Sequence, residues 1–358
     1  MQEGLVIRTT GSWYKVLVRG YGLEVIDACA EQPRQPSVTN NPSTITHLID
    51  CRLRGNYRLR GNKQTNPVAV GDRVLFELQD DGTGVIHEVQ DRRNYIVRRA
   101  TKLSKQTHVI AANIDLLCIV ATLGLPRTST GFIDRLLVTA EAYHIPAAII
   151  FNKSDLLVDE ELHAMQDELS ALYRSVGYTV MEVSALTGDG IDGVKEFIAG
   201  KTVLFSGHSG VGKSALLNAL SSGLGLRVGQ LSDWSLKGRH TTTFAEIHPI
   251  SLEVGTRSSE LVDIHKTSAL RTPHSALTYL IDTPGIKEFG MVDFNAQELS
   301  HFFPEMRAVL HGCRFANCTH RHEPGCAVMQ AVDDGSISPE RYRNYLNILE
   351  DIEQEAQI

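Results

Sequence analysis

The segment Gly207–Ser214 constrains this chain more than any other part of its sequence. Four residues separate two glycines, and Lys and Ser follow directly, which is the phosphate-binding loop pattern. Apolar residues 202–206 predict a buried strand before the loop, and residues 215–220 predict the first turns of a helix after it. An α/β fold is therefore expected. The candidate phosphate-binding residues are Gly207, His208, Ser209, Gly210, Val211, Gly212, Lys213 and Ser214.

The residue types in this loop suit a polyphosphate. Glycines allow the backbone to curl with its N–H groups pointing inward, and the helix that follows adds the partial positive charge of its N-terminus. Lys213 is the predicted catalytic lysine, because its ammonium group can reach the β- and γ-phosphates. The hydroxyl of Ser214 is a predicted Mg²⁺ ligand.

Strands and helices are predicted to alternate from about residue 98, in the order strand 114–121, helix 132–143, strand 146–151, helix 159–176, strand 178–183 and helix 191–198. This alternation favours a largely parallel sheet that is covered by helices on both faces. Ligands of such sheets bind beyond the carboxyl ends of the strands.

Two polar segments follow strands of this predicted sheet, and both are candidates for base recognition. Asp155 can accept hydrogen bonds from the N1–H and the 2-amino group of guanine, and adenine has neither donor. An ATPase is therefore disfavoured. A backbone N–H near Ala185 can reach the guanine carbonyl. The candidate base-binding residues are Asn152, Lys153, Ser154, Asp155, Ser184 and Ala185.

Two further segments complete a nucleotide site. The segment 238–243 contains Thr242, which can close on Mg²⁺ and the γ-phosphate, and His240, which is the candidate for placing the attacking water. A solvent-exposed loop histidine is the equally weighted alternative for His240. A strand then ends in Asp-x-x-Gly, in which Asp282 can hold Mg²⁺ through water and the N–H of Gly285 can contact the γ-phosphate.

The first hundred residues differ from the rest in pattern and charge. Short β-branched segments separated by turns predict a small barrel, most simply of the oligonucleotide-binding (OB) type. These residues carry 14 Lys and Arg against 11 Asp and Glu, whereas the whole chain has a net charge of −7. Within 52–63 there are five basic residues and no acidic one. This stretch is a candidate RNA contact, although a solvated charged face is the simpler interpretation.

Three cysteines and a histidine near the C-terminus have metal-ligand spacing. Cys313, Cys318, His320 and Cys326 fall within fourteen residues, and three thiolates with one imidazole form a closed, structural type of zinc site. Cys29, Cys51 and Cys118 stand apart and are expected to be buried apolar residues. Ser338 and Pro339 predict the start of a helix that reaches about Ala356 and packs its apolar stripe on the zinc module.

Composition and the first residues indicate the cellular location that we expect for the protein. No apolar run approaches the length of a membrane span, and the first residues lack a basic region followed by an apolar one. A cytoplasmic protein with no membrane partner is expected, with a monomer as the default.

These motifs together resemble a GTPase in an unusual order, because the base-reading loops precede the phosphate loop. The arrangement is similar to the circularly permuted GTPases of the RsgA (YjeQ) type. The resemblance implies an OB-type barrel in 1–97, a permuted GTPase domain in 98–290 and a helical zinc module in 291–358. It also implies GTP hydrolysis with Mg²⁺, one structural zinc ion, and binding to the small (30S) ribosomal subunit and its 16S-type rRNA during late maturation. A nucleotide-gated placeholder with incidental hydrolysis is the alternative.

Two features bear on this resemblance: a polar stretch that departs from the family, and a hydrophobic residue after Asp-x-x-Gly that the resemblance implies. The polar stretch 251–275 is longer than the tight hairpin that the resemblance implies, and its role is open. Ile286 follows the Asp-x-x-Gly motif where Ras-like enzymes have a glutamine that orients water, so another residue must do this. Slow hydrolysis by the protein alone, and faster hydrolysis on a partner, are therefore expected.

Overall fold

The computed structural model describes residues 1–20, 45–55, 66–99, 107–124, 126–221, 224–226, 245–253, 275–282 and 294–356. The strands are β1 (Gln2–Thr10), β2 (Trp13–Gly20), β3 (Ile45–Leu53), β4 (Arg73–Leu78), β5 (Gly84–Val89), β6 (Tyr95–Arg99), β7 (Thr107–Ala112), β8 (Leu116–Ala121), β9 (Ala147–Phe151), β10 (Thr179–Glu182), β11 (Thr202–Ser206), β12 (Glu246–Glu253) and β13 (Ser275–Asp282). The helices are α1 (Thr130–Ala142), α2 (Glu160–Val176), α3 (Ile191–Ile198), α4 (Lys213–Leu220), α5 (Pro304–Arg307), α6 (Ala327–Asp333) and α7 (Pro339–Ala356).

Strands β1 to β5 close into a barrel. β1 pairs antiparallel with both β2 and β4, β2 with β3, and β4 with β5, while β3 and β5 pair in parallel. This circuit, in the order β1-β2-β3-β5-β4 and back to β1, leaves no free edge between the five strands. The predicted OB-type barrel is confirmed, although residues 22–26, one of the short β-branched segments from which it was predicted, lie outside the described residues.

Alternating apolar residues of the barrel strands fill its interior. Val6 and Val16 are fully buried, and Phe76 and Ile86 lie against them in the same cluster. Cys51 belongs to this core, as expected for a lone cysteine. The backbone of Gly4 passes so close to Val16 that a Cβ there would lie 2.2 Å from its Cγ1.

The barrel is joined to the next layer through a two-stranded antiparallel ribbon of β6 and β7, which the sequence patterns did not predict. Ala112 donates its N–H to the carbonyl of Val70, and Asn113 donates its side-chain amide to the carbonyl of Gly71. A Cβ at Gly71 would lie 2.1 Å from the Ala112 carbonyl oxygen, so this contact requires glycine. The barrel and the α/β layer therefore meet backbone to backbone.

The central sheet has the order β10-β9-β8-β11-β13-β12. All neighbours from β10 to β13 are parallel, and β12 runs antiparallel to β13 along eight residue pairs from Glu246–Asp282 to Glu253–Ser275. β12 also contacts β1 through Arg8 and Glu246, which links the sheet to the barrel. The predicted parallel sheet is confirmed, and the segment 254–274 of the long polar stretch lies outside the described residues.

Helices cover both faces of this sheet, as predicted. Residues of α1 and α2, including Leu137 and Tyr173, pack with one face. Residues of α3 and α4, including Val194 and Leu216, pack with the other. Strand β8 is buried at all six positions because it lies between the two layers.

The C-terminal residues form a small helical module. Leu299, Phe303, Met306, Val328 and Leu349 make its core. Helix α7 starts at Pro339 and reaches Ala356, as predicted, and its stripe packs on this core. In the parts of the chain that the structure describes, no helix combines the length and apolar character needed to cross a bilayer.

Candidate nucleotide and metal sites

The phosphate loop connects β11 to α4, in the strand–loop–helix context that its pattern requires. Gly210 and Gly212 adopt φ of +89° and +85°, a region that L side chains rarely adopt. Ser209 and Gly210 are exposed at the top of the loop, whereas Val211 is fully buried below it. The loop therefore opens to solvent while its base is fixed in the core.

Two glycines of the loop are required by close contacts as well as by conformation. A Cβ at Gly207 would lie 2.5 Å from the carbonyl oxygen of Val120, and one at Gly212 would lie 2.5 Å from Nδ2 of Asn152. Such distances are shorter than real Cβ contacts. The loop thus packs directly on the ends of β8 and β9.

Asn152 connects the predicted guanine loop to the phosphate loop. Its side-chain amide donates to the carbonyl of Val211 at 2.9 Å, and its Oδ1 accepts the N–H of Ala185 at 3.0 Å. The side chain is buried, with the whole residue 4% exposed. One residue therefore holds three segments together that are far apart in the chain: the phosphate loop, the loop after β9 and the loop after β10.

The structure also fixes the orientation of Asp155. Ser184 donates its hydroxyl to Oδ1 of Asp155 at 2.5 Å, and the Ser184 hydroxyl in turn accepts the N–H of Thr187. Lys153 has φ of +66°, which turns the chain sharply between Asn152 and the short 3-10 turn that carries Asp155. Within the described residues, the side-chain hydrogen bond that holds Asp155 is made at Oδ1, which is compatible with recognition of guanine through Oδ2.

Lys213 and Asp282 converge at the phosphate loop. Nζ of Lys213 lies 3.1 Å from Oδ1 of Asp282, and β13, which ends at Asp282, pairs with β11, which leads into the loop. Oδ1 of Asp282 is buried, so this ion pair lies inside the site. The Asp282 carboxylate and the hydroxyl of Ser214, which follows Lys213 in the first turn of α4, are oxygen donors of the kind that hold a divalent cation with its water ligands.

Part of the predicted site lies outside the described residues. These predictions are the catalytic candidates His240 and Thr242, the Mg²⁺ ligand Thr242 and the γ-phosphate contact Gly285. The structure brings together the phosphate loop, the two base-reading loops and Asp282.

The four predicted metal ligands meet in space. The ligand atoms of Cys313, Cys318, His320 and Cys326 all lie within 4.8 Å of one another. Nδ1 of His320 lies 3.7 Å from Sγ of Cys313 and 3.4 Å from Sγ of Cys326. Four donor atoms at these separations surround one point, so the residues could hold a metal ion. Their three sulfurs and one nitrogen match a closed, structural zinc site.

The surroundings of this cluster favour metal binding. Burial lowers the pKa of His320, which favours the neutral imidazole that a metal requires. Burial raises the pKa of the Cys318 thiol to about 12, so without a cation this thiol stays protonated. Glu323 accepts hydrogen bonds from Thr319 and from the N–H of Arg321, which fixes the turn next to His320.

Sequence patterns missed a polar cluster between α1 and the C-terminal module. Arg341 contacts Asp134 and Glu305, and Asp134 also accepts hydrogen bonds from Tyr173 and Asn344. Burial alone would lower the pKa of Arg341, but Asp134 and Glu305 outweigh it and raise that pKa. These residues are dispersed along the chain. The one sequence signal is the spacing of Arg341 and Asn344, which are three residues apart and so share a face of the predicted C-terminal helix.

Comparisons with known proteins agree with this geometry. A family model described as RsgA GTPase matches residues 89–263, and one described as RsgA N-terminal domain matches residues 43–86. The small ribosomal subunit biogenesis GTPase RsgA of Bacteroides fragilis is 44% identical over 352 residues, which cover 98% of this chain and 97% of that protein. The protein of the same name from Flavobacterium johnsoniae is 40% identical over 354 residues, which cover 98% and 94%.

Solved structures give the same result at the level of the fold. YjeQ from Thermotoga maritima matches with a TM-score of 0.69 and 30% identity, over 98% of each chain. YloQ, described as a circularly permuted GTPase, matches with a TM-score of 0.67 and 28% identity, over 99% of this chain and 96% of that one. The loops predicted to bind the base precede the phosphate loop in the chain yet adjoin it in space. The chain therefore belongs to the RsgA family of circularly permuted GTPases.

Proposed function

We propose that this protein hydrolyses GTP to GDP and phosphate in the cytoplasm while it is bound to the small ribosomal subunit, during the late maturation of that subunit. The observation that supports this proposal is the junction at Asn152, which holds the loop of Asp155, our candidate for guanine recognition, beside the phosphate loop. The relatives are small ribosomal subunit biogenesis GTPases, which supports the small subunit as the partner. A monomer with no membrane partner remains our expectation.

Guanine selection is assigned to the loop after β9. Oδ2 of Asp155 would accept from the base, while Ser184 holds the other carboxylate oxygen. Lys153 would lie along the base plane. The N–H of Ala185 donates to Oδ1 of Asn152, and this bond would hold the loop after β10 beside the base. Adenine has neither of these two donors, so the Asp155 carboxylate would stay unpaired against it. This unpaired group would make the pocket select against adenine.

Hydrolysis is assigned to positioning and charge. The N–H groups of the phosphate loop and Nζ of Lys213 would stabilise the phosphates, and Ser214 with Asp282 would hold Mg²⁺. When bound, Mg²⁺ supplies positive charge that neutralises the phosphate oxygens. His240 and Thr242 are our candidates for placing water and for closing the site over the γ-phosphate.

Two modules are assigned to rRNA contact, with working limits of 1–97 for the barrel, 98–290 for the GTPase domain and 291–358 for the zinc module. On the barrel, Arg52 and Arg54 are exposed, and the guanidinium of Arg52 lies 4.0 Å from the ring centre of Trp13. Arginine and aromatic side chains together suit the phosphates and bases of RNA. Arg58, Arg60 and Lys63, also predicted to contact RNA, lie outside the described residues.

A single zinc ion is assigned to Cys313, Cys318, His320 and Cys326. It would fix the loop between the first two cysteines against α6, because Cys326 is the N-cap residue of that helix and accepts the N–H of Met329. The ion would have a structural role, since all four positions would be filled by protein.

Sedimentation of the purified full-length protein with purified small ribosomal subunits tests the proposed partner. We expect co-sedimentation with small subunits in a non-hydrolysable GTP analogue and weaker co-sedimentation in GDP, because the γ-phosphate closes the site. Large subunits are the control. Equal binding to both subunits, or binding that ignores the nucleotide, would contradict the assignment.

A further inference from the structure

His208 ties the phosphate loop to the segment that leads into α1. The hydroxyl oxygen of Thr128 accepts the N–H of Thr122 at 3.0 Å, so its own hydrogen is available to donate. Nε2 of His208 lies 2.8 Å from this hydroxyl oxygen. Nδ1 of His208 lies 3.2 Å from the carbonyl oxygen of Ser209, which can only accept, so in the neutral ring Nδ1 carries the proton and Nε2 accepts the Thr128 hydroxyl. A chain of hydrogen bonds thus ends on the backbone of the phosphate loop.

A second contact joins the same histidine to the first turn of α1. The ring of Phe132 meets the imidazole of His208 edge-on, with centroids 5.4 Å apart and an interplanar angle of 76°. Ser129 caps the helix, and its hydroxyl accepts the N–H of Phe132 at 3.2 Å. The start of α1 is therefore fixed, and the phosphate loop rests on it.

The next turn of α1 holds the C-terminal module through a buried charge. Asp134 is fully buried and accepts hydrogen bonds from Arg341 at 2.5 Å, Asn344 at 2.7 Å and Tyr173 at 2.9 Å. Arg341 also donates two hydrogen bonds to Glu305 of α5, at 2.7 and 3.0 Å. Removing either partner of a buried ion pair leaves an uncompensated charge, so this joint resists separation.

Additional contacts align α1 with α7 along their length. The hydroxyl of Thr130 donates to Glu340 at 2.7 Å, and Arg135 forms an ion pair with Asp351. Val138 of α1 belongs to the core of the C-terminal module. The two helices therefore move as one unit with the module.

The two joints lie close together at the start of α1. Thr128 directly precedes Ser129, the N-cap residue of α1, and Asp134 lies five positions after that residue, about 7.5 Å along the axis at 1.5 Å of helix rise per residue. A helix cannot change its length over so short a distance without breaking its hydrogen bonds. A displacement of α7 should therefore also displace Thr128, and a displacement of the phosphate loop should also displace Arg341.

We propose that His208, Thr128, Asp134 and Arg341 form a relay through α1, by which the docking of the C-terminal module sets the position of the phosphate loop and so the hold on the nucleotide. His208 and Thr128 are positioning residues in this relay. The inference rests on the proposed function, because it names the route by which contact of the zinc module with the ribosomal subunit regulates the nucleotide site.

The release of a fluorescent GDP analogue from the full-length protein tests the relay. Thr128→Val removes the hydroxyl with little change of shape, and with it the bonds to the Thr122 N–H and to His208. The bond to His208 is the one that reaches the phosphate loop, and we expect its loss to make release roughly threefold to tenfold faster. Thr128→Ser keeps the hydroxyl and should release at the rate of the parent protein. Arg341→Lys should also accelerate release, although Arg341 does not touch the phosphate loop.

The double variant decides between a relay and two independent effects. If the relay exists, Thr128→Val with Arg341→Lys releases the nucleotide no faster than the faster single variant, because the link is already broken. The proposal would be overturned if the double variant accelerates release by the product of the two single accelerations. It would also be overturned if the single variants release at the parent rate. Glu305→Gln, which weakens the joint from the module side, replaces Arg341→Lys if a thermal melt shows that the latter does not fold.

The same assay separates a failure of the relay from a failure of the proposed function. A protein that prefers GDP to ADP, but whose variants all release GDP at the parent rate, contradicts the relay and leaves the GTPase assignment standing. A protein with no preference for GDP contradicts the proposed function, and the relay with it.

Discussion

Asp155→Asn should convert the protein from a guanine to a xanthine nucleotide binder. The amide can still accept the Ser184 hydroxyl, so the loop should keep its geometry. It loses the negative charge that faces two guanine donors, each worth about 1.5–3 kcal/mol as a hydrogen bond to a charged group. GTP affinity should therefore fall by about 10²–10⁴-fold. Xanthine carries a carbonyl in place of the 2-amino group, and the new amide can donate to it.

Equilibrium titration with fluorescent GDP and XDP analogues measures this exchange of preference. Asp192→Asn is the matched control, since Asp192 is an exposed carboxylate on α3 that pairs with Lys195 outside the site. It should bind GDP as the parent protein does. An Asp155→Asn variant that still prefers GDP would contradict the assignment of this loop to guanine recognition.

Cys326→Ser should remove zinc and unfold the C-terminal module. Cys326 is buried, and its sulfur lies 3.4 Å from Nδ1 of His320 and accepts the N–H that begins α6. Structural zinc contributes about 10–16 kcal/mol in small zinc domains, which is more than the core of a module this small can supply. Metal analysis should find about one zinc per parent chain and almost none in the variant. The variant should also melt at a lower temperature.

Cys118→Ala provides the matched control for the zinc experiment. Cys118 is also buried but lies in β8, among the apolar residues of the sheet. Its replacement should cost about 1 kcal/mol of stability and leave the zinc content unchanged. A parent protein without zinc, or a Cys326→Ser variant that retains it, would contradict the assignment of the metal.

The central part of the site was predictable because its residues lie in short motifs with one physical use. The phosphate loop requires glycines at fixed positions, and the contacts of Gly207 and Gly212 show why a larger residue does not fit. The four metal ligands lie within one short stretch, so their spacing alone indicated the cluster that the structure shows. The parallel sheet followed from the alternation of strands and helices.

Contacts between distant segments were not predictable. Asp134 and Arg341 are 207 residues apart. Taken alone, the sequence around each of them predicts an ordinary surface charge on a helix. Thr128 and His208 are 80 residues apart and belong to no pattern with a fixed spacing. The closure of the barrel through β1 and β4 depends on register, which composition and periodicity do not determine. Sequence motifs thus indicate the chemistry of the site, whereas the contacts between modules can be identified only from the folded structure.

GTP hydrolysis by the purified protein, with and without purified small ribosomal subunits, tests the central claim most directly. Large subunits at the same concentration are the control. We predict slow turnover by the protein alone and a rise of at least an order of magnitude with small subunits only, because the attacking water must be positioned by a site that closes on the partner. No stimulation, or an equal response to both subunits, would contradict this account and favour a nucleotide-gated placeholder whose hydrolysis is incidental.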